Sequence, residues 1–87
     1  MMKSQVRTPA DALAYMTDCT LATVCSMAMR KSRPKGEYER QIAIAEAGVK
    51  WMIEMGVPRN ETSRAESVEK CGSVAAWAKR YEHPQAP

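Results

Sequence analysis

Proline and glycine divide this sequence before any other signal is read. Pro9, Pro34 and Pro58 stand about one long helix apart, with Gly36 and Gly56 beside the second and third. Between Ala10 and Arg33 there is neither proline nor glycine. Proline removes a backbone donor and pushes the residue before it out of the helical region, so these positions act as helix boundaries. The intervals lack the strict alternation of a strand and are rich in Ala, Glu, Lys and Met, which favour helix. The pattern predicts an all-α chain: a long helical hairpin plus two short C-terminal helices in a compact small bundle.

The boundaries follow from local chemistry. Thr8-Pro9-Ala10-Asp11 reads as a helix start, with Thr8 to cap free amides, Pro9 at the first helical position and Asp11 against the helix dipole. This helix is expected to run to about Lys31, and Ser32-Arg33-Pro34-Lys35-Gly36 to turn the chain. The second helix spans about Glu37 to Met55 and stops at Gly56-Val57-Pro58. Ser63-Arg64-Ala65-Glu66 matches a capping box for a third helix reaching Cys71. Gly72 ends it, Ser73 caps a fourth from Val74 to about Tyr81, and Glu82 to Pro87 reads as a frayed tail. A chain of 87 residues makes one domain, 1–87, with flexible ends at 1–7 and 82–87.

Both long helices are apolar on more than one side. At about 100° per residue the first helix groups Leu13, Thr17, Leu21, Val24 and Ala28 as a core stripe. Its opposite side carries Tyr15, Cys19, Ala22, Ser26 and Met29, where a solvent face would hold Lys and Glu. The second helix presents Tyr38, Ile42, Ala45, Val49 and Met52 on one face and Ile44, Gly48, Trp51 and Met55 on another. Glu39, Glu46, Lys50 and Glu54 form the strip made for water, with Glu46–Lys50 and Lys50–Glu54 as surface ion pairs. Val74, Trp77, Ala78 and Tyr81 keep helical spacing and serve as core cover. A domain this small has little material to hide two faces of both long helices. One arrangement is a monomer whose second helix is sandwiched by the first and by the C-terminal pair. The sharper one leaves Tyr15, Cys19, Ala22, Ser26 and Met29, with Ile44, Gly48, Trp51 and Met55, to meet a protein partner or a second copy.

The segment Met29 to Arg40 packs five cations, Arg30, Lys31, Arg33, Lys35 and Arg40, against Glu37 and Glu39. Such a cluster is either the wet corner between two helices, opposing the negative end of a helix dipole, or an anion-binding site for nucleic acid or nucleotide. A net charge of +3 permits an anionic partner without requiring one. No aromatic residue interleaves with Arg30, Lys31, Arg33 and Lys35, which leaves base stacking unsupported.

Catalytic and metal chemistry find no foothold. There is one histidine, His83, and Cys19, Cys25 and Cys71 lack zinc spacing. No nucleophile motif and no glycine-rich phosphate loop is present. Glu39 and Glu46 align as a carboxylate pair, but neighbouring cations make them surface partners. The reading is a non-enzyme with no cofactor and no metal. Three cysteines make no disulfide framework. The absence of a secretory signal and of a membrane-length apolar run points to a cytoplasmic protein with reduced thiols.

Two resemblances attach to these residues. The stretch SRAESVEKCGSVAAWAKRY is similar to the opening of a repressor-type helix-turn-helix, but only Glu82 to Pro87 follow where a recognition helix belongs. The stretch TPADALAYMTDCTLATVCSMAMRKSRPKGEYERQIAIAEAGVKWM resembles small accessory proteins of temperate bacteriophages of Gram-negative bacteria, compact helical hairpins without catalytic motifs. That resemblance implies a protein that binds and redirects a host component such as a defence system. It defines no site residues to carry over.

Overall fold

A computed structural model of the chain describes residues 6–58 and 63–84. Among them are four helices and no strand: α1 (Pro9–Ala28), α2 (Lys35–Glu54), α3 (Ser63–Cys71) and α4 (Val74–Lys79). The long pair α1 and α2 forms the expected hairpin, and the chain is all-α.

Helix starts and stops obey both near and distant partners. Thr8 Oγ1 accepts from the Asp11 N–H at 3.1 Å, and Pro9 occupies the first turn. The α1 helix ends at Ala28, short of the expected Lys31. Its last carbonyl is already taken: Ala28 O accepts from the His83 N–H at 2.8 Å and from Arg33 Nη1 at 3.1 Å. A further turn would need that carbonyl for itself.

The second helix starts earlier than expected. Pro34 sits at its N-cap, the Pro34 carbonyl accepts from the Tyr38 N–H at 3.0 Å, and Lys35 and Gly36 are already helical. Positive φ is found instead at Gly56 and Gly72, 71° and 95°. At the end of α2 the Val57 N–H reaches Met52 O at 2.8 Å and the Gly56 N–H reaches Ile53 O at 3.1 Å. This is a Schellman closure, which needs a left-handed residue after the helix and seals Val57 over Met52. The expected cap at Ser63 adjoins 59–62, which lie outside the described residues.

The short helices close one side of the hairpin. Ser73 Oγ accepts from the Ala76 N–H at 3.0 Å, as read from the sequence. Glu46 was expected in water beside Lys50. Its carboxylate instead accepts from the Val74 N–H at 2.9 Å, across 28 residues of chain. An anion at the start of α4 satisfies a free amide and opposes the helix dipole. Arg64 ties α3 to α1, donating to both carboxylate oxygens of Asp18 at 3.2 and 3.0 Å.

The core is built from the predicted stripes. Thr17, Leu21, Val24 and Ala28 of α1 and Tyr38, Ala45, Val49 and Met52 of α2 are buried, with Leu13 and Ile42 half-buried. Val68, Val74, Trp77 and Ala78 complete it from the C-terminal pair. Tyr81 rests against the edge of Trp77, ring centroids 5.2 Å apart. Burying an aromatic ring is among the largest single contributions a small core receives.

Candidate binding groove

The close approach of α1 and α2 fixes the site. An added Cβ at Gly48 would lie 2.5 Å from Thr17 Oγ1 and within 3.3 Å of two further Thr17 atoms. Only glycine fits there, and the helices meet nearly backbone to side chain. Thr17 is 3% exposed and its hydroxyl has no hydrogen-bond partner among the described residues. The Gly48 α-hydrogen points where the missing Cβ would go, so Oγ1 faces it in the manner of the Cα–H···O contacts found at close helix crossings.

Above this crossing, on the side that α3 and α4 leave open, lies a groove of about 520 Å³. Leu13, Met16 and Thr20 wall it from α1; Ile44, Gly48 and Trp51 wall it from α2. None of its lining residues carries a charge. Met16 is 65% exposed, Trp51 57% and Ile44 45%. Isolated apolar side chains on a surface are ordinary, but a contiguous uncharged trough marks a place where something apolar can dock.

The nine residues expected to meet a partner are therefore divided. Ile44, Gly48 and Trp51 come together in the groove, with exposed Met55 beyond its lining at the C-cap of α2. Tyr15, Cys19, Ala22, Ser26 and Met29 are not among its lining residues; the first four lie on α1 and Met29 is its C-cap. There Cys19, Ser26 and Met29 are exposed, and a side-chain hydrogen bond with Cys19 raises the Tyr15 hydroxyl above its ordinary pKa. Sequence reasoning missed Met16 and Thr20 as groove walls. Met16 falls between the two α1 stripes on a helical wheel, and that boundary position was the available signal.

The basic corner is a different kind of place. Arg33 is only 12% exposed in its side chain and is used internally. Its guanidinium donates to Ala28 O at 3.1 Å and His83 O at 3.3 Å, lies 3.8 Å from Glu82 Oε1, and stacks 4.9 Å above the Tyr38 ring. The Tyr38 hydroxyl donates to Glu82 Oε2 at 2.8 Å. Burial, reinforced by the neighbouring Glu82 carboxylate, pushes the Tyr38 pKa up to about 12. Of the five cations read as a possible anion site, Arg33 thus has its guanidinium already engaged within the fold. Glu82 and His83, expected in a loose tail, are the residues it binds, whereas 1–5 and 85–87 lie outside the described residues.

Of the other cations, Lys35 lies 4.0 Å from Glu39 and Arg40 lies 3.7 Å from Glu37. Arg30 and Lys31 are exposed. A cleft of about 430 Å³ at this corner mixes both signs of charge, Arg33 and Lys35 with Glu39 and Glu82, so it offers no focused positive field.

Among the described residues no group of three or more His, Cys, Asp or Glu side chains could hold a metal ion. None of the described helices is long and apolar enough to cross a membrane. Cys19, Cys25 and Cys71 are free thiols. Compared with protein-family models, curated proteins and solved structures, the chain matches none of them.

Proposed function

We propose that the chain is a non-enzymatic binding protein that takes an apolar helix of another protein into the α1/α2 groove. The observation that supports this is the uncharged trough itself, with Met16, Ile44 and Trp51 left open to solvent on the side the C-terminal helices do not cover. Two antiparallel helices flanking a shallow channel suit a third helix bearing apolar anchors at i, i+3 or i+4, and i+7. Aromatic walls such as Trp51 commonly carry most of the binding energy of such surfaces. The cations Arg30 and Lys31 would steer an acidic partner toward the hairpin. The resemblance to small phage accessory proteins extends this reading to a host component in a bacterial cytoplasm, such as a defence system.

The test compares two surface variants as bait in a bacterial lysate, with retained proteins identified by mass spectrometry. A true partner is held by the natural chain, lost with Trp51→Glu, and bound more slowly but still kept with Arg30→Glu combined with Lys31→Glu. Its retention should change little with salt, whereas nucleic-acid contacts weaken steeply. A partner that ignores Trp51 and is lost with the charge reversals would replace this reading with an electrostatic one.

A further inference from the structure

The outer side of α2 carries a second pattern that the groove does not use up. Arg40, Ile44, Ala47, Trp51 and Glu54 follow one another at intervals of four, three, four and three residues. That is the alternation of a coiled-coil seam. Arg40, Ile44, Trp51 and Glu54 are exposed and Ala47 is half-buried. Thr17 of α1 meets α2 at Gly48, where α1 borders one flank of the stripe across the groove, and α4 meets α2 through Glu46 on another side of the helix.

The stripe has a centre. Ala47 stands seven residues after Arg40 and seven before Glu54, so a cation and an anion flank a small residue at equal distance. Two such helices running antiparallel about a two-fold axis at Ala47 place Arg40 of each against Glu54 of the other. The same register sets Ile44 beside Trp51 of the second copy, twice. Ala47 crosses itself, where its size allows close approach. A parallel register would set Arg40 against Arg40 and Glu54 against Glu54. Face-to-face pairing of identical surfaces demands this self-complementarity, which a foreign helix has no reason to match.

We infer that α2 pairs antiparallel with α2 of a second copy about Ala47, and that this pairing covers the groove. The inference rests on the reading of this side of the hairpin as a binding surface, and it names a second copy of the chain as its first occupant. Because Ile44, Ala47 and Trp51 belong to both the stripe and the groove, a partner helix and a second copy compete for them. Binding of any other protein then depends on how concentrated the chain is.

Sedimentation velocity of the full chain from micromolar to millimolar concentration tests this. A concentration-dependent dimer is expected. Arg40→Glu alone and Glu54→Arg alone each create two like-charged pairs and should weaken the dimer roughly tenfold or more. The two reversals together restore the opposite pairing and should return it to within about threefold of the natural chain. Both positions are exposed, and circular dichroism checks that each variant keeps its helices. A monomer throughout overturns the inference, as does a dimer indifferent to both reversals or a double reversal no better than the singles. Both substitutions lie outside the groove lining, which separates the two ideas. A monomer that still captures a Trp51-dependent partner removes only the self-pairing, while absence of both dimer and partner removes the docking surface altogether.

Discussion

The basic corner and the apolar groove belong to the same hairpin and stand out in the sequence for opposite reasons, one for its charge and one for its lack of it. In the fold they diverge again. The central cation of the corner, Arg33, holds two carbonyls, a carboxylate and an aromatic face. The groove walls Met16, Ile44 and Trp51 stay open to water. A charge can be satisfied by one distant group, and Arg33 finds its partners in Glu82 and His83, 49 and 50 residues further along. An apolar surface is satisfied only by area, and a fourth helix of six residues is too short to cover both sides of the hairpin.

Arg33→Ala probes this contrast most strongly. It removes charged hydrogen bonds from a nearly buried site and should cost about 2–3 kcal/mol, read by urea denaturation. Arg33→Lys should recover only part of that, because a single ammonium cannot reproduce the planar fork and its stacking on Tyr38. Arg30→Glu with Lys31→Glu serves as the control and should stay within about 0.5 kcal/mol of the natural chain. Equal and small effects from all three would mean that the corner is an open charged surface after all.

Gly48 comes next, because it sets the depth of the groove. Gly48→Ala gains helix propensity but drives a methyl group into Thr17, for a net loss of about 1–2 kcal/mol. Thr17→Ala removes both the obstruction and the unpartnered hydroxyl, so the double variant should regain most of the lost stability. The coupling between the two, measured as a double-mutant cycle, should exceed about 0.5 kcal/mol. Additive effects would show that the helices have room to spare at this crossing.

These two sites also show what could be read in advance. Caps made within three residues, Thr8 to Asp11 and Ser73 to Ala76, were legible because donor and acceptor share one turn. So were the core stripes, since burial follows helical period. The end of α1 was not, because the Ala28 carbonyl is claimed by His83 from the far end of the chain. Glu46 reads locally as a partner for Lys50, and only tertiary placement brings it to the Val74 amide. Half of the groove was visible as Ile44, Gly48 and Trp51. The other half depended on the rotation of α1 about its axis, which the Thr17–Gly48 contact fixes and which turns Met16 and Thr20 toward α2 rather than Tyr15 and Cys19.

Tyr38 sharpens the comparison through pH. Its hydroxyl ionises near 10 in an unfolded chain and at about 12 in the fold. The unfolded state therefore loses its proton first, and rising pH favours unfolding between those values. Below 10 the contribution is fully present; it fades as the solution approaches 12. Tyr38→Phe removes the bond to Glu82 and should cost about 1 kcal/mol near neutral pH. It should also flatten the alkaline fall in stability relative to the natural chain, as followed by denaturant titration at stepped pH. An unchanged alkaline slope would place the Tyr38 hydroxyl in water rather than in the closed corner.

The smallest effect on stability is expected from the residue with the largest expected role in binding. Trp51 and Trp77 differ in exposure, 57% against 2%. Trp77→Ala would empty a core site, whereas Trp51→Ala removes a ring that the isolated fold leaves more than half exposed, and should cost less than about 1 kcal/mol. A side chain that large, left more than half open on a surface, makes sense if the rest of its area is buried against something else. The discriminating measurement pairs the unfolding midpoint of Trp51→Ala with its sedimentation and capture behaviour. An unchanged midpoint with lost association locates the ring's contribution between molecules. A large drop in the midpoint of dilute, monomeric protein would locate it within one chain, and would turn the groove into an imperfectly closed part of the core.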